Sequence, residues 1–197
     1  NEKDLTATII SSHDVRGSII IPHFFHYQNQ DYTITILDAN SFGSQKSIIS
    51  VTFSDDSELH TIGSNSFTNS TLEGICIPPS VKSIGERAFS WCNELFSVEF
   101  LPNSQLEKIG NDAFSFTSIE TIKIPSKVNE IGTKAFSNCK NLKLFQFPTD
   151  SKLQLISKDM FSNSFLKKIS IPSSVTQIDE NAFYNCEYLN SIEFSED

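Results

Sequence analysis

The sequence predicts a strand-dominated repeat solenoid of the α/β type, and two observations lead to that prediction. One phenylalanine-centred motif recurs seven times, with successive gaps that alternate strictly between 25 and 22 residues. Each copy also contains a short stretch in which every second residue is apolar, the pattern of a strand buried on one face. Self-similarity at a fixed period of this length is the signature of stacked repeats. The central phenylalanines are Phe42, Phe67, Phe89, Phe114, Phe136, Phe161 and Phe183.

The same residue types return at the same offsets around each central phenylalanine. An aliphatic residue stands five positions earlier, and it is followed by glycine in four copies and by Asp38, Ser157 or Asp179 in the other three. A small residue directly precedes the phenylalanine in six copies, with Met160 as the exception. We expect the glycine to permit a tight bend into one short helical turn. The phenylalanine and the aliphatic residues should form buried ladders, because no single repeat can bury its apolar face alone.

Three runs of sequence resemble a known family. Residues 77–92, 124–139 and 171–186 each begin with Ile-Pro, continue through Val and then Ile-Gly or Ile-Asp, and close with Ala-Phe and a cysteine. These runs are similar to the BspA-like, treponemal-type leucine-rich repeats, and the resemblance extends over about residues 37–194. Asp179 and Ser157 depart from the pattern, since they replace the glycine.

The resemblance implies a right-handed leucine-rich-repeat horseshoe. Its parallel sheet would line the concave face, and short helical turns or loops would form the convex side. Members of the family are surface or secreted proteins of host-associated bacteria and of mucosal protist parasites. They are linked to adhesion to host cells, matrix proteins and other microbes.

The predicted domain organisation has two parts. Residues 1–36 do not follow the repeat, contain strand-like stretches separated by turn residues, and are predicted to form a β-rich N-terminal cap. Residues 37–197 form the array of seven units. The chain stops three residues after the last predicted strand, which would leave an open sheet edge. We therefore expect a truncated piece of a longer array, or an edge that a partner or a second copy covers.

Composition argues against several classes of function. The net charge is −9 and the isoelectric point is near 4.9, whereas proteins that bind phosphate backbones usually present a basic face. Nucleic acid and anionic membranes are therefore poor partners. No apolar run reaches the roughly 20 residues of a membrane span, so we expect no direct membrane insertion in this segment. No catalytic constellation is visible, and His23 and His26 lack a third metal ligand. We expect a non-enzymatic protein without a metal or cofactor.

The outer face of the predicted sheet is one candidate binding surface, because curved solenoids commonly bind through such a face. Its residues are mixed in charge and mostly small. Glu99 and Lys123 occupy equivalent positions in neighbouring coils, where they are placed to form an ion pair. The alternative is a solvated face in which such a pair contributes about 0–1 kcal/mol. The candidate residues on this face are Glu99, Lys123, Gln146, Lys168 and Glu193.

A second candidate lies two residues after the central phenylalanine. Five copies have asparagine or serine there, whereas two adjacent copies have Trp91 and Phe116. Neighbouring exposed aromatic residues often mark interfaces, although large aromatic residues also pack under loops. The sequence does not decide between an exposed interface pair and a pair packed under loops. Asn69 occupies the same position in its own copy and begins an Asn-Ser-Thr sequon, which is a possible glycosylation site in a protein secreted by a eukaryote.

The cysteines divide into two groups. Cys92, Cys139 and Cys186 recur every 47 residues, three positions after the phenylalanine. We expect them to be small buried residues that lie too far apart for disulfides. Cys76 falls between two inward-facing isoleucines, so the alternation points it outward, where it is either a reactive thiol or a partly shielded small residue.

The sequence and the resemblance together favour a cell-surface or secreted adhesion scaffold. It would recognise a host or matrix protein, or a glycan, through an extended solenoid face. One alternative is a self-assembling structural module that associates through the open C-terminal edge. Another alternative is an intracellular protein-interaction scaffold.

Overall fold

The computed structural model describes residues 5–10 and 14–195, and over these ranges it consists of short strands joined by turns, without a helix. The strands are β1 Thr6–Ile9, β2 Gly17–Ile21, β3 Phe24–Tyr27, β4 Gln30–Leu37, β5 Ile48–Phe53, β6 Thr61–Ile62, β7 Gly74–Ile77, β8 Ser83–Ile84, β9 Ser97–Phe100, β10 Lys108–Ile109, β11 Thr121–Lys123, β12 Glu130–Ile131, β13 Leu144–Gln146, β14 Leu155–Ile156, β15 Lys168–Ile171, β16 Gln177–Ile178 and β17 Ser191–Phe194.

The larger sheet is formed by the stretches in which apolar residues alternate. It contains eight strands in the order β2, β5, β7, β9, β11, β13, β15 and β17, and every strand is parallel to its neighbours. Each coil contributes one strand, so the chain makes about eight coils. Val51 is in register with Ile75, and Ile75 with Val98, which places the inward-facing residues in one buried column. The predicted solenoid with a parallel sheet is confirmed.

A second, smaller sheet runs beside the first and was not anticipated from the sequence. Its strands follow the order β1, β4, β6, β8, β10 and β12, with β3 antiparallel to β4, and β14 and β16 pair separately. From β6 onward each strand has only two residues. The second residue of each is the aliphatic residue five positions before the central phenylalanine, such as Ile62 or Ile84. From β6 onward, each coil therefore has a short strand and a longer strand that belong to separate sheets.

The central phenylalanines form a continuous ladder through the core. Along the first five rings, successive centroids are 5.2–5.3 Å apart and the rings are nearly parallel. This spacing is close to the roughly 4.8 Å between neighbouring strands, so one ring fits in each coil. Phe67, Phe89, Phe114, Phe136 and Phe161 are fully buried. The predicted buried ladder is confirmed.

The prediction of a short helical turn next to the glycine is wrong, because no helical turn is present in the described residues. The glycine has another role. None of Gly63, Gly85, Gly110 and Gly132 has a left-handed φ. A Cβ atom at any of these positions would instead lie 2.4–2.7 Å from an atom of the preceding coil. Such an approach is too close for any side chain, so glycine is required where two coils touch through their backbones.

The chain bends through two left-handed residues in each coil instead of a helical turn. These residues lie two positions before and two positions after the central phenylalanine, and their φ angles are between 52° and 61°. Asparagine and aspartate are the non-glycine residues that tolerate this conformation best, and they fill nine of the fourteen positions. The residues before the phenylalanine are Asn40, Asn65, Arg87, Asp112, Lys134, Asp159 and Asn181; those after it are Ser44, Asn69, Trp91, Phe116, Asn138, Asn163 and Asn185.

The regular stacking is interrupted at one coil boundary by Phe145. This residue stands on β13 where the other coils of the array have isoleucine or valine. Its ring meets those of Phe136 and Phe161 edge-on at 5.0 and 4.8 Å, and those two rings are 6.1 Å apart. The pairing of β13 with β15 consists of Leu144 and Lys168, and the pairing of β9 with β11 likewise consists of Ser97 and Thr121. The larger side chain therefore spreads two neighbouring coils.

The short strands and the glycine position change at the same boundary. The short-strand sheet is interrupted between β12 and β14. Ser157 replaces the glycine here, and its hydroxyl donates a hydrogen bond to the Gly132 carbonyl at 2.8 Å. In the regular coils the glycine N–H donates to the aliphatic residue of the preceding coil, as from Gly132 to Ile109 at 2.8 Å. The coils are farther apart at this boundary, so a serine side chain fits at the position that is glycine in the four preceding coils.

The N-terminal segment continues both sheets. The strand β1 pairs with β4, and β2 pairs with β5, both in parallel. A hairpin formed by β3 and the first half of β4 extends from this end, with the whole of β3 exposed. Strand β4 crosses the predicted boundary between residues 36 and 37. The division into cap and array, the handedness and the horseshoe curvature remain predictions.

The close approach of the coils predicts that Gly110→Ala is destabilising while Gly74→Ala is tolerated. A Cβ at Gly110 would lie 2.7 Å from backbone atoms of Gly85 and Glu86. A Cβ at Gly74 would meet nothing closer than Ser97 at 3.6 Å. In denaturant unfolding we expect Gly110→Ala to cost about 1–3 kcal/mol, as overpacking does. The Gly74→Ala control should change stability by no more than about 0.5 kcal/mol. Equal stability of the two variants would contradict this account of the glycines.

Candidate binding site

The left-handed residues that follow each phenylalanine form a column of side chains on the turns, which we call the turn column. Hydrogen bonds between coils fix its register. The Asn69 N–H donates to the Ser90 carbonyl at 2.8 Å, and the Trp91 N–H donates to Ser115 at 2.9 Å. The column therefore presents one side chain per coil at a regular spacing. In coil order its members are Ser44, Asn69, Trp91, Phe116, Asn138, Asn163 and Asn185.

Trp91 and Phe116 stack on each other within the turn column. Their ring centroids are 3.9 Å apart and their planes differ by 7°. Trp91 nevertheless stays 50% exposed, and Phe116 is half-buried. Of the two readings that the sequence left open, the structure favours an exposed pair over rings buried beneath loops.

The backbone does not favour aromatic residues at these two positions. Trp91 has a φ of 60° and Phe116 a φ of 57°. A left-handed conformation costs an ordinary L-residue about 1–2 kcal/mol. A stacked aromatic pair contributes about 0.5–1.5 kcal/mol beyond its buried area, so stacking alone does not offset the strain at both residues. Every coil has left-handed backbone at this position and four other coils place asparagine there, so the strain comes from the choice of an aromatic side chain.

A depression of about 370 Å³ lies beside the aromatic pair and extends over three coils. Apart from the two rings, all of its lining residues are polar. We call the pair together with this lining the aromatic site. The lining residues are Trp91, Asn93, Phe116, Thr117, Ser118, Asn138, Lys140 and Asn141.

The polar rim of the aromatic site has few internal hydrogen bonds. The Ser118 hydroxyl donates to the Asn93 carbonyl at 2.6 Å, and the Asn138 amide donates to the Ser137 hydroxyl at 2.7 Å. Among the described contacts, the side chains of Asn93, Asn141 and Lys140 make no hydrogen bond or ion pair. All three are exposed. They are therefore available to a bound molecule.

Sequence reasoning found the aromatic pair and missed its polar rim. Asn93, Ser118 and Lys140 stand four residues after their phenylalanines, which places them in a second column next to the turn column. The offset was visible in the sequence. The residue types at this offset differ from copy to copy, so the repeat pattern did not single them out.

The five predicted residues of the outer sheet face are all exposed on that face, but they do not form one site. Gln146, Lys168 and Glu193 line a shallow depression of about 200 Å³ near the spread boundary between β13 and β15. Lys123 lines a different depression. The expected ion pair between Glu99 and Lys123 is absent from the described contacts. The carboxylate of Glu99 accepts instead from the Cys76 thiol at 3.8 Å.

Asn69 precedes Trp91 in the turn column, and its side chain is exposed. Its amide oxygen accepts a hydrogen bond from the Lys46 ammonium. The hydroxyl of Thr71 in the same sequon donates to the Ile48 carbonyl at 2.9 Å. Glycosylation of Asn69 remains a prediction.

The repeated cysteines are small residues whose thiols form hydrogen bonds between neighbouring coils. The thiol of Cys92 donates to the Phe67 carbonyl at 3.0 Å, and that of Cys139 donates to Phe114 at 3.1 Å. Both are fully buried, and Cys186 is half-buried. Burial raises the pKa of Cys139 to about 11 and also raises the pKa of Cys92. The predicted buried role is confirmed for these two residues.

Cys76 is exposed, as the strand alternation predicted. Partial desolvation, and then the charge of Glu99, raise its pKa. It lies on the outer face of the large sheet, away from the aromatic site.

The described residues show no sign of a metal centre or a membrane helix. They contain no group of three His, Cys, Asp or Glu residues arranged to hold a metal ion. In the same ranges, no helix has the length and apolar character of a membrane span. His26 contacts the Asp31 carboxylate at 2.8 Å on the exposed N-terminal hairpin.

The burial of the thiols predicts selective alkylation. At pH 8 in native conditions, iodoacetamide should modify Cys76 well before Cys92 or Cys139, because of these three thiols only that of Cys76 is accessible. In denaturant all four cysteines should react at similar rates. Peptide mapping by mass spectrometry measures the order. Modification of Cys139 as fast as Cys76 in the folded protein would contradict the described packing.

Two solved structures share this architecture. A leucine-rich repeat protein from Bacteroides ovatus is 30% identical, with a TM-score of 0.80, and the match covers 90% of this chain and 45% of that protein. The chain thus spans less than half of the B. ovatus protein. The leucine-rich repeat protein of T. pallidum is 20% identical, with a TM-score of 0.76, covering 93% of this chain and 82% of that one, and it supports the fold. A comparison with curated proteins finds no match.

A family model supplies the assignment. The BspA type leucine rich repeat region matches in six copies, over residues 25–143 and 107–197. Proteins with such repeats are generally protein-interaction scaffolds without enzymatic activity, and those of the BspA type are often found at the surface or secreted. Because its sequence matches this family model and its structure has stacked coils with a phenylalanine ladder, the chain belongs to the BspA-type leucine-rich repeat family.

Proposed function

We propose that the chain is a non-enzymatic adhesion module of a cell-surface or secreted protein. It binds a protein or a glycan of a host cell or matrix through the outward-facing columns of the solenoid. The observation that carries the proposal is the exposed stack of Trp91 and Phe116 on left-handed backbone.

Membership of the family supports the general class of function, a binding scaffold, since proteins of this family are generally interaction scaffolds. The construction of the solenoid supports the use of its outer columns. In the first six units, the central phenylalanines and the aliphatic residues five positions before them are fully or nearly fully buried, as are Cys92 and Cys139. Stacking of the coils therefore restricts which residue types can occupy the interior. Recognition of a ligand has to rely on side chains that point outward.

The aromatic site is a better primary contact than the outer sheet face. Trp and Tyr are enriched at the energetic centres of interfaces because they combine large area with few rotatable bonds. The sheet-face residues Glu99, Lys123, Gln146, Lys168 and Glu193 carry mixed charges and are well exposed. Exposed charges of this kind contribute little to affinity. We assign the sheet face a secondary role, in which it contacts a ligand too large for the aromatic site alone.

The test is binding of the purified chain to cultured epithelial cells and to a panel of immobilised matrix proteins. The variant Trp91→Asn/Phe116→Asn carries the residue that the turn column has in four other coils, so its fold should be intact. We expect it to lose at least about 30-fold in affinity, as when a hot spot of about 2 kcal/mol is removed.

Phe96→Ser is the matched control, because it removes an aromatic side chain of similar exposure outside the aromatic site. It should bind like the wild type. Absence of wild-type binding to every surface would contradict the proposed function. Unchanged binding by the double variant would move the contact to the sheet face.

Self-assembly is the alternative that the same double variant can test. The proposal predicts a single monomeric species in sedimentation velocity over a wide range of protein concentration. Dimers that form with rising concentration and disappear in Trp91→Asn/Phe116→Asn would instead assign the aromatic pair to contacts between copies of the chain.

A further inference from the structure

We propose that the aromatic site binds carbohydrate, with one sugar ring of a glycan packed on the exposed surface of the Trp91 and Phe116 pair. The hydroxyl groups of that sugar bond to the amides of the rim. This inference rests on the proposed function and names the ligand class for one of its surfaces.

The chemistry of the lining is the first reason. A pyranose ring presents one face of C–H bonds, which packs on an aromatic ring, and a rim of hydroxyl groups that both donate and accept hydrogen bonds. The aromatic site has the complementary arrangement, because its two rings are its only apolar lining. The core of a protein–protein interface is more apolar and would be expected to include aliphatic residues around the rings.

The unused hydrogen-bonding groups are the second reason. The amides of Asn93 and Asn141 each offer two N–H donors and a carbonyl acceptor, and neither has a protein partner among the described contacts. Amide groups suit vicinal hydroxyls, since they can donate to one and accept from the next. The Ser118 hydroxyl donates to the backbone carbonyl of Asn93, which leaves the side-chain amide free and helps to fix the turn that carries Asn93.

Charge and size are consistent with this ligand class. No carboxylate lines the site although the whole chain has a net charge of −9, and Lys140 is its only charged residue. A sugar hydroxyl or a sugar carboxylate can approach without repulsion. The volume of about 370 Å³ is at the lower end for ligand sites, and it suits one or two sugar rings rather than a folded partner.

The experiment uses Trp91 itself as the reporter, because it is the single tryptophan of the chain. After a screen on a mammalian glycan array, fluorescence titrations with chitotriose, N-acetyllactosamine and sialyllactose should show saturable changes in Trp91 emission for at least one sugar. Phe116→Asn keeps the reporter and should lose at least about tenfold in affinity, the effect of removing one stacking contact.

Two further variants separate the parts of the proposal. Asn93→Ala/Asn141→Ala retains the stacked rings and removes the free amides, so it should also weaken sugar binding by about tenfold. Phe96→Ser should bind sugar like the wild type. Equal sugar binding by all variants, or no binding to any glycan on the array, would overturn the inference.

A glycoprotein distinguishes failure of this inference from failure of the proposed function. The chain should bind immobilised fetuin, and enzymatic removal of the fetuin glycans should abolish that binding. Binding that persists on deglycosylated fetuin and depends on Trp91 would show that the aromatic site recognises protein. That result would overturn the glycan inference and leave the proposed adhesion module standing.

Discussion

The contact between neighbouring coils is the constraint on which the rest of the structure depends. The buried phenylalanine rings repeat every 5.2–5.3 Å through most of the array, and each must match the spacing of the parallel strands. At the same distance the backbone at Gly110 touches that of the preceding coil. The spacing therefore restricts two kinds of position, the stacked interior columns and the glycines. Side chains outside those positions and outside the left-handed turn positions are free to vary.

The boundary at Phe145 shows how local this constraint is. A larger ring on one strand packs edge-on against Phe136 and Phe161, which are 6.1 Å apart, and the short-strand sheet is interrupted at the same boundary. At this boundary Ser157 occupies the glycine position. On the next coil, regular stacking resumes, with Phe161 and Phe183 5.5 Å apart. The departure from regular stacking is thus confined to one boundary.

The sequence was sufficient for the features that repeat and insufficient for those set by the backbone. The ladder through Phe114 and the long strands followed from residue types at fixed offsets. The short-strand sheet could not be predicted in this way, because a two-residue strand is marked in the sequence only by a single aliphatic residue such as Ile62. The left-handed turns were missed because asparagine merely permits that conformation, while Trp91 gives no hint of it. The predicted sheet-face residues share one face, but only three of the five line the same depression. Alternation along a strand predicts which way a side chain points and does not predict which side chains converge.

The central claim is that Trp91 and Phe116 are kept for binding and not for stability. Their left-handed backbone disfavours them, and their stack offsets only part of that strain. The free energy of unfolding of Trp91→Asn/Phe116→Asn, measured with denaturant against the wild type, tests this claim directly. The account predicts that the double variant is at least as stable as the wild type. A loss of more than about 2 kcal/mol, which is typical of disrupted core packing, would contradict it and make the pair part of the structural core.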